Sequence, residues 1–395
     1  MDCRIDNARV LTENGLVSGA VRVREGKIVE TRPCLSGENE LVVDAEGKIL
    51  SPGFIDLHVH GGGGACVMSG KALDVVRMCD AHAQFGTTTI LPTTWTAPAE
   101  KIERAIDAVR TAREMACDAT IAGVHLEGPY LSPGQAGAQS PESLLIPARH
   151  PWGRFTGRWD GVVMVGVAPE LPGAMEMAEE LARHGIVPSI AHSDADQSVM
   201  DEAVLHGFSD VTHLYSGCST FCRRGGFRVP GVVESALVSD TLTVQVIGDG
   251  CHLPHAMLQL IYRCKGVGNM YWITDGLDYA AAELEPGMDY RLQNGMRVVY
   301  EDGVMKLESR QAFAGSVGTM DRMVRTGVAA GIPVVDALRM ASETPARRLG
   351  LEKTKGKIAV GYDADLVLLD DSLNVRWCMA KGKIIRDDLE GENER

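Results

Sequence analysis

Between residues 54 and 345 the chain passes through eight short apolar, strand-like runs, nearly all followed by a stretch patterned as a helix. The runs are "FIDLHVH", "TTTILPTT", "IAGVHLEG", "VVMVGVAPE", "GIVPSIAHS", "DVTHLYS", "TVQVIGDG" and "MYWITDG". Among the stretches between them, "AEKIERAIDAVRTAREM" repeats apolar residues at Ile102, Ala105, Ile106, Val109 and Ala112, the spacing of one helical face. Another, "AMEMAEELARHG", ends in a glycine suited to a helix C-cap. Strand and helix alternating eight times predict an α/β fold, a (β/α)8 TIM-like barrel, with functional residues where the strands end at its C-terminal rim.

The chain is 395 residues long, beyond the ~250 to 300 at which one core stops growing easily, so a second body is expected. Both ends supply it. Residues 1–50 contain short alternating runs with turns, and residues 350–395 contain "GKIAVGYDADLVLLD" and "CMAKGKIIRD". "REGKIVE" and "AKGKIIRD" are alike, each a glycine turn leading into a β-branched run. The expectation is a small β-sandwich built from both termini and a barrel over residues 51–349. Near 287–308, "YRLQNGMRVVYEDGVMKL" sets Asn-Gly and Asp-Gly between alternating runs, the signal of a hairpin insertion at the barrel mouth.

The strand ends carry His58, His60, Glu127, His192, His213 and Asp275. In "FIDLHVHGGGGA", residues i and i+2 of an extended strand share a face, so His58 and His60 can aim at one target. The glycines after them would let the loop turn away while its backbone approaches the site closely. Imidazole and carboxylate ligands suit a divalent metal: Zn2+ first, with Fe2+ or Mn2+ as alternatives. Cys218 and Cys222 in "CSTFC" are spaced more widely than C-x-x-C, with no second pair nearby, and do not read as a structural zinc site.

The formal net charge of -14 argues against nucleic acid or an anionic membrane as partner. The opening "MDCRIDNARV" lacks a basic start followed by an apolar stretch, and no apolar run reaches the ~18 residues of a membrane span. Ten scattered cysteines suit reduced thiols, so the expected location is cytoplasmic.

"PGFIDLHVHG", "GVHLEGPYLSP", "AHSDA", "VTHLYSG", "IGDGCH", "ITDG", "AGSVGTM" and "GKIAVGYDADLVLLD" together resemble the N-acetylglucosamine-6-phosphate deacetylases of the amidohydrolase superfamily, across nearly the whole chain. The resemblance implies a (β/α)8 barrel with a β-sandwich, metal-dependent removal of acetate from an amino-sugar phosphate, and a homodimer. Glu127, His192 and His213 match the metal-binding positions. His58 and His60 match a second site found in only some members, so one or two ions are implied. Relatives that bridge two metals with a carboxylated lysine have no counterpart here, because no lysine lies between Lys101 and Lys265; Glu127 is the replacement. Asp275 matches the acid/base aspartate, which would take a proton from the attacking water and pass it to the departing amine.

Two segments depart from the family pattern. Gln139 in "AGAQ" stands where a histidine usually contacts substrate near its carbonyl, and glutamine donates a hydrogen bond without carrying imidazolium charge. After His213, Ser216, Gly217 and Cys218 replace a sugar-phosphate contact segment, followed by "CRRGGFRVPG". There Arg228 resembles the arginine that grips the 6-phosphate, often in the neighbouring subunit, and His252 matches another residue of the sugar-phosphate site. These changes leave three expectations in competition: a deacetylase for N-acetylglucosamine 6-phosphate; a deacylase for N-acetylgalactosamine 6-phosphate, an unphosphorylated amino sugar or an N-acyl amino acid; and a non-catalytic sugar-phosphate binder. Degeneration to a binder would damage the ligand set first, and all six candidate residues are present.

Overall fold

A computed structural model describes residues 2–37, 40–292, 295–311 and 313–389. The eight expected strands are β1 (Phe54–Val59), β2 (Thr87–Thr94), β3 (Val124–Glu127), β4 (Val162–Val167), β5 (Val187–Ile190), β6 (Asp210–Val211), β7 (Thr243–Ile247) and β8 (Met270–Ile273). Each pairs in parallel with the next. A parallel bridge between Val59 and Gly276 draws β8 and β1 together. At that seam the Asp275 N–H donates to the His58 carbonyl and the His60 N–H to the Gly276 carbonyl, both at 2.9 Å. Closing the ring therefore sets Asp275 beside two histidines from the far end of the barrel sequence.

Strands covered on both faces bury their residues without alternation, and every residue of β1, β2, β3, β5, β6 and β8 is buried, polar ones included. Ile55, Leu57, Leu91, Met164, Ile247, Tyr271 and Ile273 come from strands around the ring and form one cluster. Residues placed like that can touch only inside the ring, so the barrel has a packed interior. The outer strand faces join the helices, including α1 (Ala72–Ala83) and α2 (Ala99–Arg113), in a larger core. Helix α2 buries the stripe its sequence spells, with Ala108 in addition. Burying Ile102, Ile106 and Val109 contributes about 1.5–3 kcal/mol each, enough to fix which face docks.

No long helix follows β3. Residues 128–161 contain only helical turns of three or four residues, at Pro133–Gln135, Pro141–Ser143 and Gly153–Thr156. This irregular segment carries Gln139 over the barrel mouth.

The two termini build one sheet in the order 383–387, 375–380, 366–369, 49–52, 3–12, 15–24, 27–32, with 41–44 beside 3–6. Leu366–Leu369 runs antiparallel to Ile49–Pro52, joining the ends of the chain. Ile5, Val21, Ile28, Leu366, Trp377 and Met379 pack in one cluster although their strands span the whole sheet path, so the sheet folds over itself around a separate core. The two similar turns meet there: Ala364 N–H donates to the Gly26 carbonyl (2.8 Å) and Gly382 N–H to the Ala364 carbonyl (3.1 Å).

The expected hairpin is part of a four-stranded antiparallel sheet: Asp289–Arg291, Arg297–Glu301, Val304–Leu307 and Phe313–Gly315. Its Asp302-Gly303 turn has φ of 54° and 78°, as a two-residue hairpin turn requires. Asn294, of the expected Asn-Gly turn, lies outside the described residues. The last strand has three residues and no alternation of its own, so only its pairing with Val304–Leu307 defines it.

The glycine run after His60 has a different purpose from the one its sequence suggests. Gly61–Gly62 pairs with Ala65–Cys66, turned by Gly63 and Gly64 at φ 58° and 81°. A Cβ on Gly62 would stand 2.7 Å from the His82 ring. The close approach is to buried His82 and not to the histidine cluster.

Candidate metal centre

Six side chains converge on the C-terminal rim. Glu127 Oε1 lies 2.7 Å from His213 Nε2, 3.1 Å from His192 Nε2 and 3.7 Å from His58 Nε2. Asp275 Oδ1 lies 3.2 Å from His60 Nε2 and 3.5 Å from His58 Nε2, and the two Nε2 atoms of His58 and His60 are 3.2 Å apart. Ligands ~2.0–2.1 Å from a tetrahedral ion are separated from one another by about 3.3 Å, so these spacings are those of a divalent-ion donor set. Two groups of three that could hold an ion result, His58 with Glu127 and His213, and His58 with His60 and Asp275, and His192 Nε2 stands beside Glu127 as a further donor.

The opposite ring nitrogens of His58, His60 and His192 are also held, whereas that of His213 is buried without a hydrogen-bond partner among the described residues. His60 Nδ1 donates to the Thr93 carbonyl (3.1 Å) and His192 Nδ1 to the Gln135 carbonyl (2.7 Å), so in the neutral ring each Nε2 is the nitrogen that turns a lone pair toward the cluster. His58 Nδ1 faces Gln245 Oε1 at 3.0 Å.

Electrostatics shows what the cluster lacks. Burial pushes the Glu127 carboxyl up, but the surrounding imidazoles of His58, His192, His213 and His60 outweigh it and hold the group well below the usual carboxylate range. Burial likewise lowers His60, yet hydrogen bonds to Asp275 and Glu127 raise it to about 10. His58, with burial dominant, falls to about 4. One buried and one half-buried carboxylate thus pull a positive charge into their midst, the demand that a bound cation would meet.

His192, His213 and Asp275 have φ of 44°, 27° and 48°. Non-glycine residues pay about 1–3 kcal/mol for such backbone, and here it turns His192 and His213 toward Glu127 and Asp275 toward His58 and His60. Gly217 makes room for one of them. With its φ at 57°, a Cβ there would stand 2.5 Å from His192 Nδ1. The Gly217→Ala variant is expected to push His192 off Glu127 and weaken metal retention about 10–100-fold, measured as metal content after dialysis. Unchanged content would mean that the loop yields and the ring stays.

The cluster opens into a cavity of about 720 Å³ lined by His60, Glu127, Gln139, His192, His213, Ser216, Gly217, His252 and Asp275, with Trp95, Leu277, Leu292 and Phe313 as apolar wall. The inserted sheet thus forms one side of the mouth. His58 is fully buried below. His252 Nδ1 donates to buried Asp249 (2.8 Å), and its ring meets Phe313 edge-on at 5.1 Å.

Gln139 is more deeply engaged than a substrate contact need be. Its Nε2 donates to Glu127 Oε2 (2.7 Å), and its Oε1 accepts from the Thr96 N–H (2.8 Å). One amide hydrogen and one lone pair of Oε1 are left for a substrate. Arg228 stands apart, exposed on a hairpin of Cys222–Arg224 and Phe227–Val229 and absent from the lining of its own chain's cavity. Sequence reasoning missed Gln245, Asp210 and Asp249. The available signal was a polar residue within an apolar strand, as in "TVQVI".

The model of the amidohydrolase family matches residues 49–385. In sequence the chain is 32% identical over 390 residues to the N-acetylglucosamine-6-phosphate deacetylase of Bacillus subtilis (strain 168), with 96% of each covered. In structure it is similar to the N-acetylglucosamine-6-phosphate deacetylase of Pasteurella multocida, with a TM-score of 0.88, 27% identity, and 97% of this chain and 99% of that one covered. It is also similar to a variant of the Mycobacterium smegmatis deacetylase in complex with N-acetyl-D-glucosamine-6-phosphate, with a TM-score of 0.87, 28% identity, and 98% and 99% covered.

Proposed function

The chain belongs to the N-acetylglucosamine-6-phosphate deacetylases of the amidohydrolase family, and from that premise we propose that it hydrolyses N-acetyl-D-glucosamine 6-phosphate to D-glucosamine 6-phosphate and acetate. The observation that carries this is the buried Glu127–His192–His213 set with Asp275 beside it, open to a cavity large enough for a sugar phosphate. Glu127, His192 and His213 would hold the principal ion, and His58 and His60 would complete a second position. Zn2+ fits these nitrogen and oxygen donors first, and Fe2+ or Mn2+ fit the same set. Such an ion supplies Lewis acidity and an activated water.

The chain's own groups do the rest. Asp275 is held below the usual carboxylate range: burial alone would raise it, but His60, His58 and His213 prevail. Ionised, it takes a proton from water as oxygen attacks the acetyl carbon. It then delivers that proton to the nitrogen as the C–N bond breaks, giving acetate and the free amine. Gln139, Ser216, Gly217 and His252 face the substrate. Asp249 accepts the Nδ1–H of His252, which leaves Nε2 for the sugar-phosphate end.

The enzyme acts as a homodimer in which the exposed arm carries Arg228 into the cavity of a second copy. Phe221 and Phe227 on that arm are 57% and 79% exposed, apolar surface that an interface would cover. Its setting is the cytoplasm; among the described residues no helix is long and apolar enough to cross a membrane.

Metal-quantified protein is expected to release acetate from N-acetylglucosamine 6-phosphate and far more slowly from the galactosamine epimer or the unphosphorylated sugar. Loss of a charge-assisted hydrogen bond costs about 1.5–3 kcal/mol, so Arg228→Ala should raise KM for the phosphorylated sugar roughly 10–100-fold and leave the neutral sugar unaffected. A metal-loaded protein inert toward the glucosamine phosphate would shift the substrate to another N-acyl compound.

A further inference from the structure

His60 and His192 each rest a ring nitrogen on a backbone carbonyl, which can only accept. His58 rests on a side-chain amide, which could present either its oxygen or its NH2. Something must decide which end His58 meets. We propose that Asp210, acting through Gln245, fixes the tautomer of His58 and thereby keeps His58 Nε2 as a permanent lone-pair donor for the ion at the His58–His60–Asp275 position. Both are positioning residues.

Asp210, Gln245 and His58 are fully buried. Asp210 accepts from Ser189 Oγ (2.8 Å), Thr243 Oγ1 (2.6 Å), Tyr271 OH (2.9 Å) and Gln245 Nε2 (2.8 Å). A carboxylate only accepts. The NH2 end of Gln245 must therefore face Asp210, and its Oε1 must face His58 Nδ1, 3.0 Å away. An amide oxygen also only accepts, so the ring proton sits on Nδ1. The neutral ring then presents a bare Nε2, 3.2 Å from His60 Nε2, 3.5 Å from Asp275 Oδ1 and 3.7 Å from Glu127 Oε1. The direction of every hydrogen bond follows from one acceptor-only group on β6, two strands away from any hydrogen-bonded neighbour of β1. The same partners would pack a glutamine merely as filler, but filler has no influence on where a histidine carries its proton.

The inference rests on assigning the rim cluster to metal binding, and its test is separable from the substrate assignment. Nitrogen-15 spectra of the full chain labelled at histidine, with and without Zn2+, are expected to show His58 protonated at Nδ1 in both states. Gln245→Met keeps the volume and removes the amide; it should leave His58 with mixed or reversed tautomers. It should also raise the free metal needed to fill the second position about 10–100-fold, read by chelator competition. Asp210→Asn, which lets the Gln245 amide turn either way, should shift the tautomer in the same sense. A wild-type His58 protonated at Nε2 overturns the proposal without any variant. So does a folded Gln245→Met protein whose tautomer and metal affinity are unchanged. Failure to release acetate with the tautomer intact would instead count against the substrate.

Discussion

Asp275→Asn is expected to lower the rate of acetate release about 10²–10⁴-fold, the usual contribution of a positioned acid/base, with KM and the ion at Glu127 little changed. Asparagine keeps the shape and loses the proton acceptor. It also tolerates the φ of 48° found here better than other residues, so the backbone bonds across the β8–β1 seam should survive. Single-turnover acetate release on metal-quantified protein is the measurement. Near-normal turnover with the ion in place would remove Asp275 from proton transfer and make it a ligand alone.

Glu127→Gln should have the larger effect on composition. Among the described residues Glu127 is the one group within 4 Å of His58, His60, His192 and His213 together, so it supplies the negative charge around which the imidazoles are arranged. A neutral amide cannot replace that charge. Metal affinity is expected to fall by more than the 10–100-fold typical of losing a supporting partner, and turnover should collapse unless metal is in large excess. The added thermal stability that metal gives to the wild-type protein through its preference for the folded state should disappear too. Metal content after dialysis and Tm with and without Zn2+ report both. A variant that keeps its ion through dialysis would exclude Glu127 from the ligand set.

Much of this site was legible in the chain. Each barrel strand lies in a short strand-like run, and each rim residue stands at or just beyond the end of one, so alternation of strand and helix already placed His58, His60, Glu127, His192, His213 and Asp275 on one edge. The terminal sheet was legible for the same reason, since its turns and β-branched runs are short-range signals. The segment after β3 was not, because it has no period from which to read a path. Gln139 lines the cavity, but its attachment to Glu127 and Thr96 depends on how that irregular segment settles over the mouth.

The sequence by itself determined the barrel, the paired ends and the identity of the candidate ligand atoms, because strand and helix periods and the chemistry of imidazole and carboxylate are properties of neighbouring residues. Tertiary structure alone decided which way those ligands point. The left-handed backbone of His192, His213 and Asp275, the seam that brings Asp275 to His58, and the chain from Asp210 through Gln245 to His58 are all set through space. Gln245 and His58 stand 187 positions apart. The direction of a hydrogen bond between two such groups is fixed by what else each must satisfy once buried, and no local pattern records that.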